Sequence, residues 1–107
     1  MKDRRWCEVY ETLIRERLAV RYPTIDDIAE RLGISVRTLQ RRLKASGLSY
    51  SELVEQIRHE QACRLLDKPD ANMAAIASAL GYIDPSSFSR AFRRWTGMSP
   101  RVYRSRN

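Results

Sequence analysis

The chain repeats itself. Ile28-Ala29-x-x-Leu32-Gly33 returns as Ile76-Ala77-x-x-Leu80-Gly81, Leu39-x-x-x-Leu43 returns as Phe88-x-x-x-Phe92, Arg41 as Arg90, and Gly47-x-Ser49 as Gly97-x-Ser99. The offset grows from 48 to 50 along the repeat, which puts one extra residue in the turn of the second copy and one at its end. Both places are loops, where insertions are absorbed. A chain of 107 residues has room for one domain or two very small ones, so the repeat predicts two small units of one plan. Each copy reads as a helix, a glycine-containing turn and a second helix, the helix-turn-helix pattern. The alanine after isoleucine lets the two helices approach closely. An αα-hairpin used only for packing is the plainer alternative.

Helical periodicity and capping residues place the elements. Trp6, Val9, Tyr10, Leu13, Ile14 and Leu18 form one stripe of a helix over residues 6–20 that ends at Tyr22-Pro23. Thr24 caps a second helix with Ile25, Ile28, Ala29 and Leu32 inward, and Gly33 stops it. Ser35 caps a third helix, anchored by Leu39 and Leu43 and running to about Ser46 before Gly47. Ser49 and Glu52 make a capping box that opens a long fourth helix. Its stripe of Tyr50, Leu53, Val54, Ile57, Gln61, Ala62, Leu65 and Leu66 lasts 18 residues, about 27 Å at 1.5 Å per residue. Asn72 caps a fifth helix, Asp84-Pro85 starts a sixth anchored by Phe88, Phe92 and Trp95, and Ser99-Pro100 starts a short last one. No segment alternates like a strand. The expected fold is therefore all-α, with about seven helices in two tandem helix-turn-helix subdomains joined by a long linker helix. The expected divisions are 1–48, the packing helix and first unit, 49–66, the linker, and 67–107, the second unit and last helix.

Charge is distributed unevenly over this plan. The net charge is +7, a balance that suits a polyanionic partner but also a merely solubilising surface. From Val36 to Leu48 there are four basic residues and no acidic one, and from Pro85 to Asn107 six and none. Residues 49–71 between them hold three basic and five acidic side chains. Two acid-free basic stretches, each covering the second helix of a repeat, point to duplex DNA as the partner. They also argue that the acidic linker helix lies off the DNA.

With Leu39 and Leu43 inward, Arg37, Gln40, Arg41 and Lys44 share another face of the third helix. A helix in the major groove turns such a face to base edges, where arginine matches guanine and glutamine matches adenine with paired hydrogen bonds. Arg37, Gln40 and Arg41 are the candidate base contacts, while Lys44 and the flanking Arg42 suit phosphates. In the second copy, with Phe88 and Phe92 inward, Ser86, Ser89 and Arg90 are the candidate base contacts and Arg93 a phosphate contact. Only Arg90 among these discriminates strongly. Arg101 is a further phosphate candidate; together with Arg104 and Arg106 it reads equally as a loose solvated tail. The helix starts at Ser35, Ser49 and Ser99 offer N–H groups to a phosphate. Ordinary surface charge is the alternative for each arginine.

These residues resemble the AraC/XylS family of bacterial transcription regulators over about residues 24–104. The resemblance rests on Ile28-Ala29-x-x-Leu32-Gly33-x-Ser35-x-Arg37-Thr38-Leu39-Gln40-Arg41, on Arg58-x-x-x-Ala62-x-x-Leu65-Leu66, and on Ile76-Ala77-x-x-Leu80-Gly81-Tyr82 followed by Phe88-Ser89-Arg90-Ala91-Phe92-x-x-Trp95-x-Gly97-x-Ser99-Pro100-x-x-Tyr103-Arg104. It implies sequence-specific promoter binding, usually with activation by contact with RNA polymerase. The family's base contacts map onto Arg37, Gln40 and Arg41 and onto Ser86, Ser89 and Arg90, the faces derived above. Most members carry a separate effector-binding or dimerising domain, for which this length leaves no space. The expectation is an excised C-terminal domain, with a short self-sufficient member as the alternative.

Other classes fit less well. The single histidine, His59, supports no histidine-based triad, so no enzyme is expected. His59 and Cys63 stand four apart, half of a metal site with nothing to complete it, so neither metal nor cofactor is expected. A methyl-accepting DNA repair protein with a domain of this kind would need a cysteine cluster before residue 24, and Cys7 is alone there. A helical protein-interaction module is the remaining rival. Two distant cysteines, no membrane-length apolar run and no signal peptide predict a soluble cytoplasmic chain.

Overall fold

The computed structural model describes residues 5–106, with side chains from Glu8 onward. The side chains of Trp6, expected on the first apolar stripe, and of Cys7 lie outside the described ones. The seven helices described are α1 (Arg5–Leu18), α2 (Ile25–Leu32), α3 (Val36–Ala45), α4 (Tyr50–Leu66), α5 (Met73–Ala79), α6 (Pro85–Thr96) and α7 (Pro100–Arg106). No strand occurs among the described residues. The chain divides into two compact units, one running to Ile57 and the other beginning at Arg58. The division between the units falls within α4, between Ile57 and Arg58.

In the first unit, Tyr10, Ile14 and Leu18 of α1 bury against Ile28, Ala29, Leu39, Leu43 and the start of α4 at Leu53, Val54 and Ile57. Val9, expected on this stripe, is 57% exposed. At 100° per residue it sits well round the helix from Ile14 and Leu18, so the buried stripe is narrower than the apolar one. The Tyr50 hydroxyl of α4 donates to the Pro23 carbonyl, just before α2, at 2.6 Å. Burial, with Tyr22 and Asp27 nearby, pushes this phenol above its ordinary value, which keeps it protonated as the donor.

In the second unit, Ala62 and Leu66 of α4 pack with Ile76, Ala77, Leu80, Phe88 and Phe92. Aromatic rings extend this core: Tyr103 of α7 meets Phe92 edge-on at 5.3 Å, and His59 stacks on Trp95 at 5.4 Å. His59 is therefore part of an aromatic cluster, while Cys63 packs against the same core. No group of three or more metal-ligating side chains exists among the described residues.

The two turns are built alike. Gly33 and Gly81 adopt φ of 71° and 82°, the left-handed region that favours glycine. The next residue's N–H then closes onto the helix behind: Ile34 onto Ala29 O at 3.1 Å and Tyr82 onto Ala77 O at 2.9 Å. The capping box of α4 forms in both directions, Ser49 N–H donating to Glu52 Oε1 at 3.3 Å and Glu52 N–H to Ser49 Oγ at 3.2 Å.

Candidate nucleic-acid interface

Side-chain caps set the register of both second helices. Ser35 Oγ accepts from Thr38 N–H at 3.1 Å, and Asp84 Oδ1 accepts from Ser87 N–H at 2.7 Å. Counted from the cap, the fourth and eighth residues are buried in each: Leu39 and Leu43 in α3, Phe88 and Phe92 in α6. The second, fifth, sixth and ninth residues are then Arg37, Gln40, Arg41 and Lys44 in α3, and Ser86, Ser89, Arg90 and Arg93 in α6. All are exposed except Ser89, which is half-buried. Each unit thus presents one polar face opposite its core.

The α3 face is chemically unspent. Among the described residues no side-chain hydrogen bond or ion pair engages Arg37, Gln40, Arg41 or Lys44. On α6, Arg90 Nη2 reaches Ser87 Oγ at 3.4 Å and lies near Asp84. The N–H of Ser87, its hydroxyl and then Arg90 hold the Asp84 carboxyl below its ordinary value. The sign follows: a depressed folded pKa gives stability that is full above the ordinary carboxylate range, about pH 4, and is lost as pH falls through the folded value. Wild type should therefore lose melting temperature relative to Asp84→Asn as pH falls below the ordinary carboxylate range, about pH 4, since asparagine caps as well but does not titrate. Parallel melting curves for the two proteins would show that the cap does not titrate with folding.

The remaining candidates divide. Arg93 and Arg101 are exposed, as a phosphate contact requires. Arg42 is exposed too, but its Nη1 donates to the Tyr10 hydroxyl at 2.9 Å, so it ties α3 to α1 with part of its guanidinium. Ser35 Oγ also donates to Thr38 Oγ1 at 3.0 Å, which commits the hydroxyl to the helix. At Ser49 the Glu52 carboxylate already holds the backbone N–H. Ser99 is half-buried and accepts from Val102 N–H. Arg104, read equally as a phosphate contact or as loose tail, donates from Nε to Leu66 O at 3.1 Å and from Nη2 to Lys68 O at 3.2 Å. It caps the last carbonyl of α4 and holds that of Lys68 just beyond it, which fixes α7 there.

Arg58 was visible in the sequence only as part of a family pattern. It is 7% exposed, the one buried charged side chain among the described residues. Its Nε donates to Leu80 O, at the C-terminal cap of α5, at 3.0 Å, and its Cζ lies 4.2 Å from the Tyr82 ring centroid. An arginine on a mostly apolar helix stripe was the available signal.

Two repeated helix-turn-helix units, each with a capped, basic and solvent-facing second helix, define a DNA-binding domain. The chain belongs to the AraC-type helix-turn-helix family: the family model for this helix-turn-helix domain matches residues 28–106. It is 43% identical over 93 residues to the HTH-type transcriptional regulator VirS of Mycobacterium tuberculosis, covering 87% of this chain and 27% of VirS. The transcriptional regulator CdpR of Pseudomonas aeruginosa is 41% identical, with a TM-score of 0.73 over 90% of this chain and 31% of CdpR. The DNA-binding domain of the global transcriptional factor AdpA, solved with a target DNA, is 28% identical with a TM-score of 0.76, covering 92% of this chain and 88% of that one. The chain therefore spans roughly a quarter of the length of the curated relatives it matches. Those relatives are transcriptional regulators. No described helix is long and apolar enough to cross a membrane.

Proposed function

We propose that the chain reads double-stranded promoter DNA by sequence, with α3 and α6 in successive major grooves, and so regulates transcription in the bacterial cytoplasm. The observation that carries this reading is the shared register: in both units the cap fixes the same four outward positions opposite the same two buried anchors. Arg37, Gln40 and Arg41 read bases in one half-site, and Ser86, Ser89 and Arg90 in the other. Lys44, Arg93 and Arg101 hold phosphates, with Arg42 and the helix starts at Ser35, Ser49 and Ser99 as weaker contributors. Activation through RNA polymerase, and effector binding and dimerisation through other parts of the whole protein, complete the proposal; the greater length of the relatives supports the latter. The protein works as a binder, without enzyme chemistry or cofactor.

Selection of bound sequences from a random duplex pool tests this reading. Two half-sites about one helical turn, or 10 base pairs, apart are expected. Affinity should fall by about 0.9 log units per phosphate contact for each log unit of salt. A single short site would remove the second reading head. No DNA binding at low salt, with a protein partner held independently of salt, would favour the interaction-module alternative.

A further inference from the structure

The extra residue in the second turn can be identified. In the first turn, Ile34 follows Gly33, closes onto Ala29 O, packs on its own core, and is followed at once by the cap Ser35. In the second turn, Tyr82 does the same after Gly81, closing onto Ala77 O and packing on its core. The cap, however, is Asp84. The inserted residue is therefore Ile83, held between a neighbour pinned to the core and a neighbour engaged in capping. It has no core to enter and is 97% exposed, against 41–67% for the other exposed large apolar residues.

A single exposed apolar side chain needs no explanation by itself. The position of this one does. It precedes Pro85, the first residue of α6, by two, and a recognition helix approaches base edges with its N-terminal end. The polar face of α6 is also poor in discriminating groups, because its two serines satisfy either a base edge or a phosphate. In the major groove the apolar feature that distinguishes one base from the others is the thymine 5-methyl group. We infer that Ile83 is a specificity-determining residue that packs on a thymine methyl in the half-site read by α6. This rests on the DNA-reading proposal above and adds a base preference that no polar side chain of α6 provides.

Replacement of thymine by deoxyuridine removes the methyl and leaves the hydrogen-bonding edge intact. Each thymine of the selected second half-site is replaced singly, and binding is measured with the full chain. Wild type should lose about fourfold at one position, the size expected for one methyl group leaving an apolar contact. Ile83→Ser and Ile83→Ala should bind the thymine and uracil duplexes equally, near the wild-type level on uracil. Both should melt with wild type, because so exposed a side chain supports nothing in the fold. Uracil sensitivity that persists in both variants, or its absence at every second-half-site thymine in wild type, overturns the inference. If no sequence is selected from the pool at all, the DNA-reading proposal fails first.

Discussion

Arg58→Ala should lower the unfolding free energy of the second unit by about 3 kcal/mol, with denaturation followed through Trp95 in a Trp6→Phe background. Three losses coincide. The Leu80 carbonyl ends α5, where no further helical N–H reaches it, and Arg58 Nε supplies the bond at 3.0 Å. A buried acceptor stripped of its partner costs about 1–3 kcal/mol. The guanidinium also lies against the Tyr82 ring at 4.2 Å, and a desolvated contact of this type contributes about 1–2 kcal/mol. The side chain itself leaves a cavity next to a close-packed core. These terms overlap, so their total is smaller than their sum.

Conservative variants separate the parts. Arg58→Lys keeps the charge and the stem but not the planar fork, and should recover part of the loss. Arg58→Met keeps the packing and leaves Leu80 O unbonded, and should stay near the alanine value if the hydrogen bond dominates. Because Tyr82 leads into Ile83 and the Asp84 cap, footprints of Arg58→Ala should lose protection over the half-site read by α6 first. An Arg58→Ala melt within about 0.5 kcal/mol of wild type would show that the arginine holds nothing.

Which features were legible follows from the range of the physics involved. Caps are local. The serine, threonine, asparagine and aspartate at positions 35, 24, 72 and 84 each bond an N–H three residues on, and the Ser49–Glu52 box closes within a single turn. Sequence spacing alone locates all of these. The exposed faces of α3 and α6 were legible for the same reason, since Leu39–Leu43 and Phe88–Phe92 leave the helix only one way to turn. Arginine partners are not local. Arg42 reaches back 32 residues to Tyr10, Arg58 forward 22 to Leu80, and Arg104 back 38 to Leu66. In the sequence these three differ little from Arg41 or Arg93, because charge marks a surface without saying which carbonyl or hydroxyl lies in reach. The buried face of α1 is likewise narrower than its apolar stripe: Val9 is apolar, but the α1 residues that enter the core are Tyr10, Ile14 and Leu18, with Leu13 partly buried against it. The repeat showed that the second turn was longer, yet only the paired closures at Ile34 and Tyr82 showed which residue had been added.

Arg41→Ala should weaken binding to the selected site by about 1–3 kcal/mol, roughly 5- to 150-fold, and relax the preference at one base pair. The sixth residue after the cap, Arg41 sits on the same face as Arg37 and Gln40, and no contact among the described residues occupies its guanidinium. All five N–H donors are therefore available, and no bond within the protein must break before two of them meet the acceptors of a guanine. Stability should be unchanged, which separates Arg41 from its neighbour: Arg42→Ala also removes the bond to Tyr10 and should lower the melting temperature. Arg41→Lys retains the charge without the paired geometry, so it should recover affinity for random DNA more than for the selected site. Lys44→Ala is the counterpart. It should weaken every sequence alike and reduce the salt slope by about one phosphate contact. Equal losses on selected and random duplexes for Arg41→Ala would move Arg41 from the bases to the backbone, and would leave Arg37 and Gln40 to carry the specificity of the first half-site alone.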